Sequence, residues 1–142
     1  MKLAMKEATK AYKNGDVPVG AVIVKNNKVI AKAHNMKEKN KSAIKHAEII
    51  VIEKACKKVK NWHLNDCELY VTLEPCMMCC GAIIQSRIKK VYYSIESTKF
   101  GYVESIDKIF EKNNNHFPRV EKGLCAEESR NLLKKFFETK RD

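Results

Sequence analysis

The sequence predicts an α/β fold in which helices cover both faces of one sheet. Stretches rich in β-branched residues alternate with stretches whose apolar residues recur at helical spacing. The length of 142 residues suits one domain, and we find no linker, internal repeat or low-complexity tract. We therefore expect residues 1–142 to form a single domain.

The first half of the chain alternates helix, hairpin and helix. Residues 2–13 form a predicted amphipathic helix that ends at an Asn-Gly pair. Residues 17–35 hold two β-branched runs around Asn26-Asn27, and asparagine tolerates the left-handed backbone of a two-residue turn. A polar loop over 36–45 and a long helix opening with the sequence HAE follow.

The second half begins with a strand, a helix and another strand. We predict a buried strand over 67–73, a helix over 76–87 entered at Pro75, and a strand over 89–95. Further helices are predicted over 105–113 and 128–140, with polar connections between them.

Composition narrows the class of protein. Hydrophobic residues make up 44% and charged residues 32%, which is an ordinary globular balance. The net charge of +11 fits either a polyanionic partner such as nucleic acid or a lysine-rich surface without a binding role. No apolar run has the length of a membrane span and the N-terminus is not a signal peptide, so we expect a cytoplasmic protein. In a reducing compartment, the six cysteines indicate metal binding, catalysis or burial rather than disulfides.

Cys76 and Cys79 lie three residues apart at the start of a predicted helix, where the helix dipole stabilises thiolates. A Cys-x-x-Cys pair is typical of half a zinc site or of a redox pair. His46, thirty positions upstream, is the candidate third ligand for zinc. Cys80 projects about 100° away from Cys79 on a helix, which favours packing over metal binding.

The remaining candidates for a fourth ligand are His34, His63 and Cys56. His63 and Cys56 lie at or beyond the far end of the helix that begins at His46. We therefore favour three protein ligands and an open position, the arrangement of a catalytic zinc. Glu48, two residues after His46, is either a solvated helix-start carboxylate or a proton shuttle, and the nearby ligands favour the shuttle.

The pattern of His-x-Glu followed by Pro-Cys-x-x-Cys resembles the signature of zinc nucleobase deaminases. Over nearly its whole length the chain resembles the bacterial tRNA adenosine deaminases. The matching pieces are DVPVGAVIV (16–24), HAEI (46–49), LYVTLEPCMMC (69–79), GAI and SRI within 81–88, Lys99-x-Gly101, Asn115-His116 and the LLKKFF helix.

The resemblance implies a cytidine-deaminase-like three-layer α/β/α sandwich with a central five-stranded mixed sheet, assembled as a homodimer. It implies hydrolysis of the wobble adenosine of tRNA to inosine by zinc-bound hydroxide, with one Zn²⁺ per chain, Glu48 as the proton shuttle and no redox cofactor. Asn35 matches the asparagine that contacts the target base. The other substrate contacts that it implies are Ala47, Pro75 and Lys99, with Ser97, Lys45 and Phe100 as further candidates.

Two groups of basic residues suit the phosphates of an anticodon loop. The first lies in the loop before the active site and comprises Lys37, Lys39, Lys41 and Lys45. The second lies on the terminal helix and comprises Lys134, Lys135, Lys140 and Arg141. Two alternatives remain open: a deaminase of a free base or nucleoside (guanine, cytosine or adenosine), and a non-catalytic zinc-stabilised module.

Overall fold

The computed structural model describes residues 1–112 and 114–140. Within these residues the chain forms five α-helices: α1 (Lys2–Lys13), α2 (Lys37–Asn40), α3 (Ala47–Val59), α4 (Met77–Ser86) and α5 (Ala126–Lys140). The same residues form five strands: β1 (Gly20–Lys25), β2 (Lys28–His34), β3 (Cys67–Leu73), β4 (Lys90–Ile95) and β5 (Arg119–Lys122).

The strands form one mixed sheet in the order β2-β1-β3-β4-β5. Strand β1 is antiparallel to both of its neighbours, whereas β3, β4 and β5 run parallel. Helices α1 and α5 pack on one face, and α3 and α4 pack on the other. The predicted three-layer α/β/α sandwich with a central five-stranded mixed sheet is confirmed. Across residues 1–112 and 114–140, no helix combines the length and the apolar character needed to cross a bilayer.

The larger core lies between the sheet and the α3–α4 layer. Alternate strand residues point into it, as the period of two in a strand requires. Its fully buried members include Ile23, Val51, Leu69, Val71, Ile83 and Val91. On the opposite face α1 packs closely against β1, where a Cβ added to Gly20 would lie 2.0 Å from the carbonyl oxygen of Ala4.

The predicted hairpin and most predicted elements are confirmed. Asn26 and Asn27 have φ angles of 52° and 64°, the left-handed pair that a two-residue turn between β1 and β2 needs. Strand β3 spans the predicted 67–73, and α5 begins two residues before the predicted 128.

Three predictions of local structure were wrong. The expected loop over 36–45 contains α2, because the buried Asp16 carboxylate accepts hydrogen bonds from the amides of Glu38 and Lys39. The helix expected over 105–113 is only a 3-10 turn at Ile109–Glu111, and residue 113 lies outside the described residues. Strand β5 was missed, since only Val120 of its four side chains is even half-buried.

Candidate active site

His46 lies immediately before α3, and its backbone is extended with φ −75° and ψ 150°. Its carbonyl accepts the amide of Ile50 at 3.1 Å, so the residue belongs to the first turn of the helix. The half-buried imidazole directs Nδ1 towards the start of α4. His46 is therefore held by the rigid end of a helix rather than by a free loop.

Cys76 and Cys79 lie at the matching position on α4. Cys76 directly precedes the helix with φ −77° and ψ 177°, and its carbonyl accepts the amide of Cys80 at 2.8 Å. The sulfurs of Cys76 and Cys79 lie 3.7 and 3.5 Å from Nδ1 of His46. Two helix N-termini therefore bring the three predicted ligands together.

The ligand atoms of these three residues all lie within 4.8 Å of one another, so the group could hold a metal ion. A hydrogen bond from Cys79, assisted by His46, lowers the pKa of the Cys76 thiol to about 4 despite burial. The same contact with Cys76 raises the pKa of His46 above its ordinary value. Cysteine binds metals as the thiolate, and the lowered pKa favours that form of Cys76.

Glu48 lies in the first turn of α3 and is only 4% exposed. Burial raises the pKa of its carboxyl to about 7, while a contact with Cys79 acts in the opposite direction. A carboxyl that is poised near neutrality beside a metal-ligand cluster can accept and release a proton.

Asn35 follows strand β2 and is buried next to the His46 helix. Its Oδ1 accepts the amide of Ala47 at 2.8 Å, and its Nδ2 donates to the carbonyl of Val17 at 3.1 Å. Ala47 directly follows His46, and Asn35 is held beside the cluster through its hydrogen bond to Ala47.

The carbonyl of Pro75 accepts the amide of Tyr102 at 3.0 Å, and Cys76 forms an antiparallel β-bridge with Gly101. These contacts bring the loop over 97–105 beside the cluster. The loop carries three of the expected substrate contacts, namely Ser97, Lys99 and Phe100. Ser97 is half-buried, while the Lys99 and Phe100 side chains are exposed.

Two lysines of the first basic group, Lys37 and Lys45, lie near His46. Lys37 on α2 is exposed, and its positive charge reaches His46, where it opposes protonation. Lys45, directly before His46, is half-buried, and its carbonyl accepts the amide of Met36 at 2.9 Å.

In the second basic group, Lys135 and Lys140 lie over the rings of Tyr12 and Phe136 in the α1–α5 layer, and Arg141 lies outside the described residues.

The remaining candidate ligands point elsewhere. Cys80 directs its sulfur to the carbonyl of Pro75 at 3.6 Å, and His34 pairs with Glu7 at 2.9 Å. Cys56 contacts the carbonyl of Trp62 at 3.8 Å. The structure does not bring these side chains into the cluster.

Sequence reasoning missed Glu74, which is 3% exposed and accepts hydrogen bonds from the 97–105 loop. Burial alone would raise its pKa, but bonds from Ser105 and backbone amides outweigh burial and hold that pKa below its ordinary value. The available clue was the TLEPC motif itself, in which an acidic residue ends a buried strand.

Known proteins resemble this chain over nearly its full length. The family described as MafB19-like deaminase matches residues 1–141. The tRNA-specific adenosine deaminase of Bacillus subtilis (strain 168) is 44% identical over 138 residues, which cover 96% of this chain and 86% of that protein.

Two solved structures are also similar. One comes from a study of A-to-I editing by tRNA:A34 deaminases at the wobble position of transfer RNA; it is 41% identical with a TM-score of 0.90, covering 93% of this chain and 96% of that one. The guanine deaminase of Bacillus subtilis is 39% identical with a TM-score of 0.65, covering 77% of this chain and 69% of that one. The chain belongs to the MafB19-like deaminases and to the family of the tRNA-specific adenosine deaminases.

Proposed function

We propose that this protein is a zinc-dependent hydrolytic deaminase that converts the wobble adenosine of tRNA to inosine. The observation that carries the proposal is the meeting of His46, Cys76 and Cys79 at two helix N-termini beside the buried Glu48. Family membership supplies the substrate class.

The donor set fits zinc. An ion at about 2.3 Å from sulfur and about 2.0–2.1 Å from nitrogen in tetrahedral geometry holds those atoms about 3.6 Å apart. The observed separations are 3.7 and 3.5 Å. When bound, zinc supplies Lewis-acid activation of water at near-neutral pH.

The residues of the chain supply the remaining steps. His46, Cys76 and Cys79 hold the metal. The Glu48 carboxylate takes a proton from the attacking water and passes it to the adenine ring nitrogen as the new C–O bond forms. It then takes the remaining proton of the added hydroxyl and gives it to the exocyclic amine, so that the C–N bond breaks, the carbonyl of inosine forms and ammonia leaves. Water and adenosine thus give inosine and ammonia without any electron transfer.

An RNA substrate is supported by an accessible site. In the described part of this chain, α5 packs against α1, β3 and β4, on the face of the sheet opposite α3 and α4. The exposed side chains of Lys37, Lys99 and Phe100 flank the cluster and suit phosphates and stacked bases.

We also propose a cytoplasmic homodimer. All six cysteines are free, which suits a reducing compartment. Met77 and Met78 at the start of α4 are 57% and 37% exposed, an apolar patch beside Cys76 that a second copy would cover.

Incubation with an anticodon stem-loop that contains a wobble adenosine tests the substrate, with free adenosine, guanine and cytosine in parallel. We expect inosine and ammonia from the stem-loop alone. The likeness to guanine deaminase makes guanine the second candidate substrate. Turnover of guanine without turnover of RNA would contradict the proposal.

A further inference from the structure

Glu74 is a buried charged residue next to the metal ligands, and the reaction described above gives it no role. It follows the last residue of β3 and precedes Pro75-Cys76, and its side chain is 3% exposed. Its amide donates to the carbonyl of Ile95 at 2.9 Å, which attaches it to the end of β4. A buried carboxylate is stable only when its oxygens accept hydrogen bonds.

Within residues 1–112 and 114–140, every hydrogen-bond partner of the Glu74 carboxylate comes from the 97–105 loop. Oε1 accepts the amide of Ser97 at 3.0 Å and the hydroxyl of Ser105. Oε2 accepts the amides of Val103, Glu104 and Ser105 at 3.0, 2.8 and 3.0 Å. Hydrogen bonds to an ionised acceptor are the strong ones, so this carboxylate holds both ends of the loop.

The turn of the loop lies directly against the Glu74 carboxylate. A Cβ added to Gly101 would approach the Glu74 carboxyl carbon to 2.2 Å. Gly101 also donates its amide to the carbonyl of Ser97 at 2.8 Å and bridges to Cys76. The position of Phe100, which is 67% exposed, is thereby set relative to a metal ligand.

A second network of hydrogen bonds stabilises the outer side of the loop. Glu104 accepts the hydroxyl of the buried Tyr93 at 2.9 Å and Nζ of Lys122 at 3.0 Å. Lys122 also donates to Glu96 at 2.6 Å. The loop is therefore ordered by the protein itself before any ligand arrives.

We propose that Glu74 is a positioning residue that preorganises the 97–105 loop as the substrate-recognition element beside the metal centre. This inference rests on the proposed function, since the loop is assigned to RNA contacts there. A loop that is already ordered loses little conformational freedom when substrate binds, so the entropic cost of binding is smaller than for a mobile loop. Loss of the Glu74 carboxylate therefore weakens substrate binding and leaves the chemical step in place.

The Glu74→Gln variant tests the inference, because it keeps the side-chain shape but turns one acceptor into a donor that faces amide donors. Amide hydrogen exchange should rise about tenfold or more in residues 97–105. The KM for the stem-loop should rise by about tenfold, with kcat within about threefold and zinc content unchanged. The matched control is Glu7→Gln, a carboxylate that is 5% exposed in α1, for which KM and loop exchange should stay unchanged.

A folded Glu74→Gln variant with unchanged loop exchange and unchanged KM would overturn the inference. So would a loss of zinc and kcat at constant KM, because Glu74 would then support the metal site instead. If Glu74→Gln does not fold, the Ser105→Ala variant replaces it, because it removes only one hydrogen-bond donor to Glu74. Ser105→Ala should raise amide exchange in the loop and KM by about twofold to threefold. No change in either quantity would also overturn the inference.

The two proposals fail in different ways. If wild-type protein deaminates guanine and not RNA, the proposed substrate is wrong. In that case the same rise of KM for guanine would uphold the role of Glu74, and a constant KM would refute it. Loop exchange is measured without substrate and reports on preorganisation in either case.

Discussion

Asn35 links strand β2 to the helix that begins beside the cluster of His46, Cys76 and Cys79: its Oδ1 accepts the amide of Ala47 at 2.8 Å, and its Nδ2 donates to the carbonyl of Val17. The side chain therefore closes the free N-terminus of α3 from outside the helix, in the way that a cap does. His46 and Glu48 flank the amide that Asn35 holds.

Asn35→Ala should lower the free energy of unfolding by about 1–3 kcal/mol, because Ala47 and Val17 lose buried hydrogen-bond partners. Zinc affinity should fall as well, since His46 adjoins the freed amide. Urea unfolding and metal titration measure both effects. The Asn35→Asp variant keeps an acceptor for the amide of Ala47 and should lose less stability than Asn35→Ala. Equal stability of Asn35→Ala and wild type would contradict the prediction.

Glu48→Gln should keep zinc and fold but lose about 10²–10⁴-fold in kcat, because only the proton-transferring group is changed. Single-turnover formation of inosine measures the loss. Glu53→Gln, on an exposed position of the same helix, is the control and should match wild type. Retained deamination by Glu48→Gln would refute the proton-shuttle role.

Cys79→Ala and Cys80→Ala form a matched pair, since both side chains are fully buried and adjacent on α4. Cys79→Ala should lose the metal because its sulfur faces His46, whereas Cys80→Ala should retain about one zinc per chain because its sulfur faces Pro75. Elemental analysis of the purified variants measures the zinc content of each. Loss of zinc from Cys80→Ala would indicate a closed, structural site.

RNA binding should weaken steeply with salt if the Lys37 region contacts phosphates. For a single-stranded loop, the plot of log K against log salt has a negative slope, and each lost phosphate contact makes that slope shallower by about 0.7. Lys37→Ala should show this decrease, and the exposed Lys57→Ala at the far end of α3 should not. Binding is measured in the Glu48→Gln background to prevent turnover. A flat salt response would favour a small-molecule substrate.

Because of Glu7, the free energy of unfolding should vary with pH in the acid range. Burial raises its pKa, but hydrogen bonds to His34 and Lys10 outweigh burial and hold that pKa below the ordinary 4.5. The unfolded chain therefore binds the proton more tightly, so the stabilisation by Glu7 is complete above about 4.5 and is lost as pH falls through the lower folded value. Urea unfolding of wild type and Glu7→Gln at several pH values tests this. A stability difference that does not change with pH would contradict it.

The local pattern of the sequence was sufficient to predict most of the helices and strands. The hairpin at Asn26-Asn27, the strand over 67–73 and the helix after Cys76 were predictable because turn conformation and apolar periodicity depend on residues close in sequence. The spacing of Cys76 and Cys79, together with His46 at the start of a predicted helix, likewise predicted the cluster that the structure brings together.

Tertiary structure decided what depends on partners far apart in the chain. Helix α2 forms because Asp16 accepts the amide of Glu38, 22 residues later, and no local pattern contains that acceptor. The 97–105 loop takes its shape from Glu74, whose Ser105 partner lies 31 residues away, and sequence periodicity does not show contacts at that separation. The sequence by itself was sufficient to predict the fold class and the grouping of His46 with Cys76 and Cys79. Only the folded chain determined how the loop beside them is held, because the donors that satisfy the buried Glu74 carboxylate come from residues far away in the sequence.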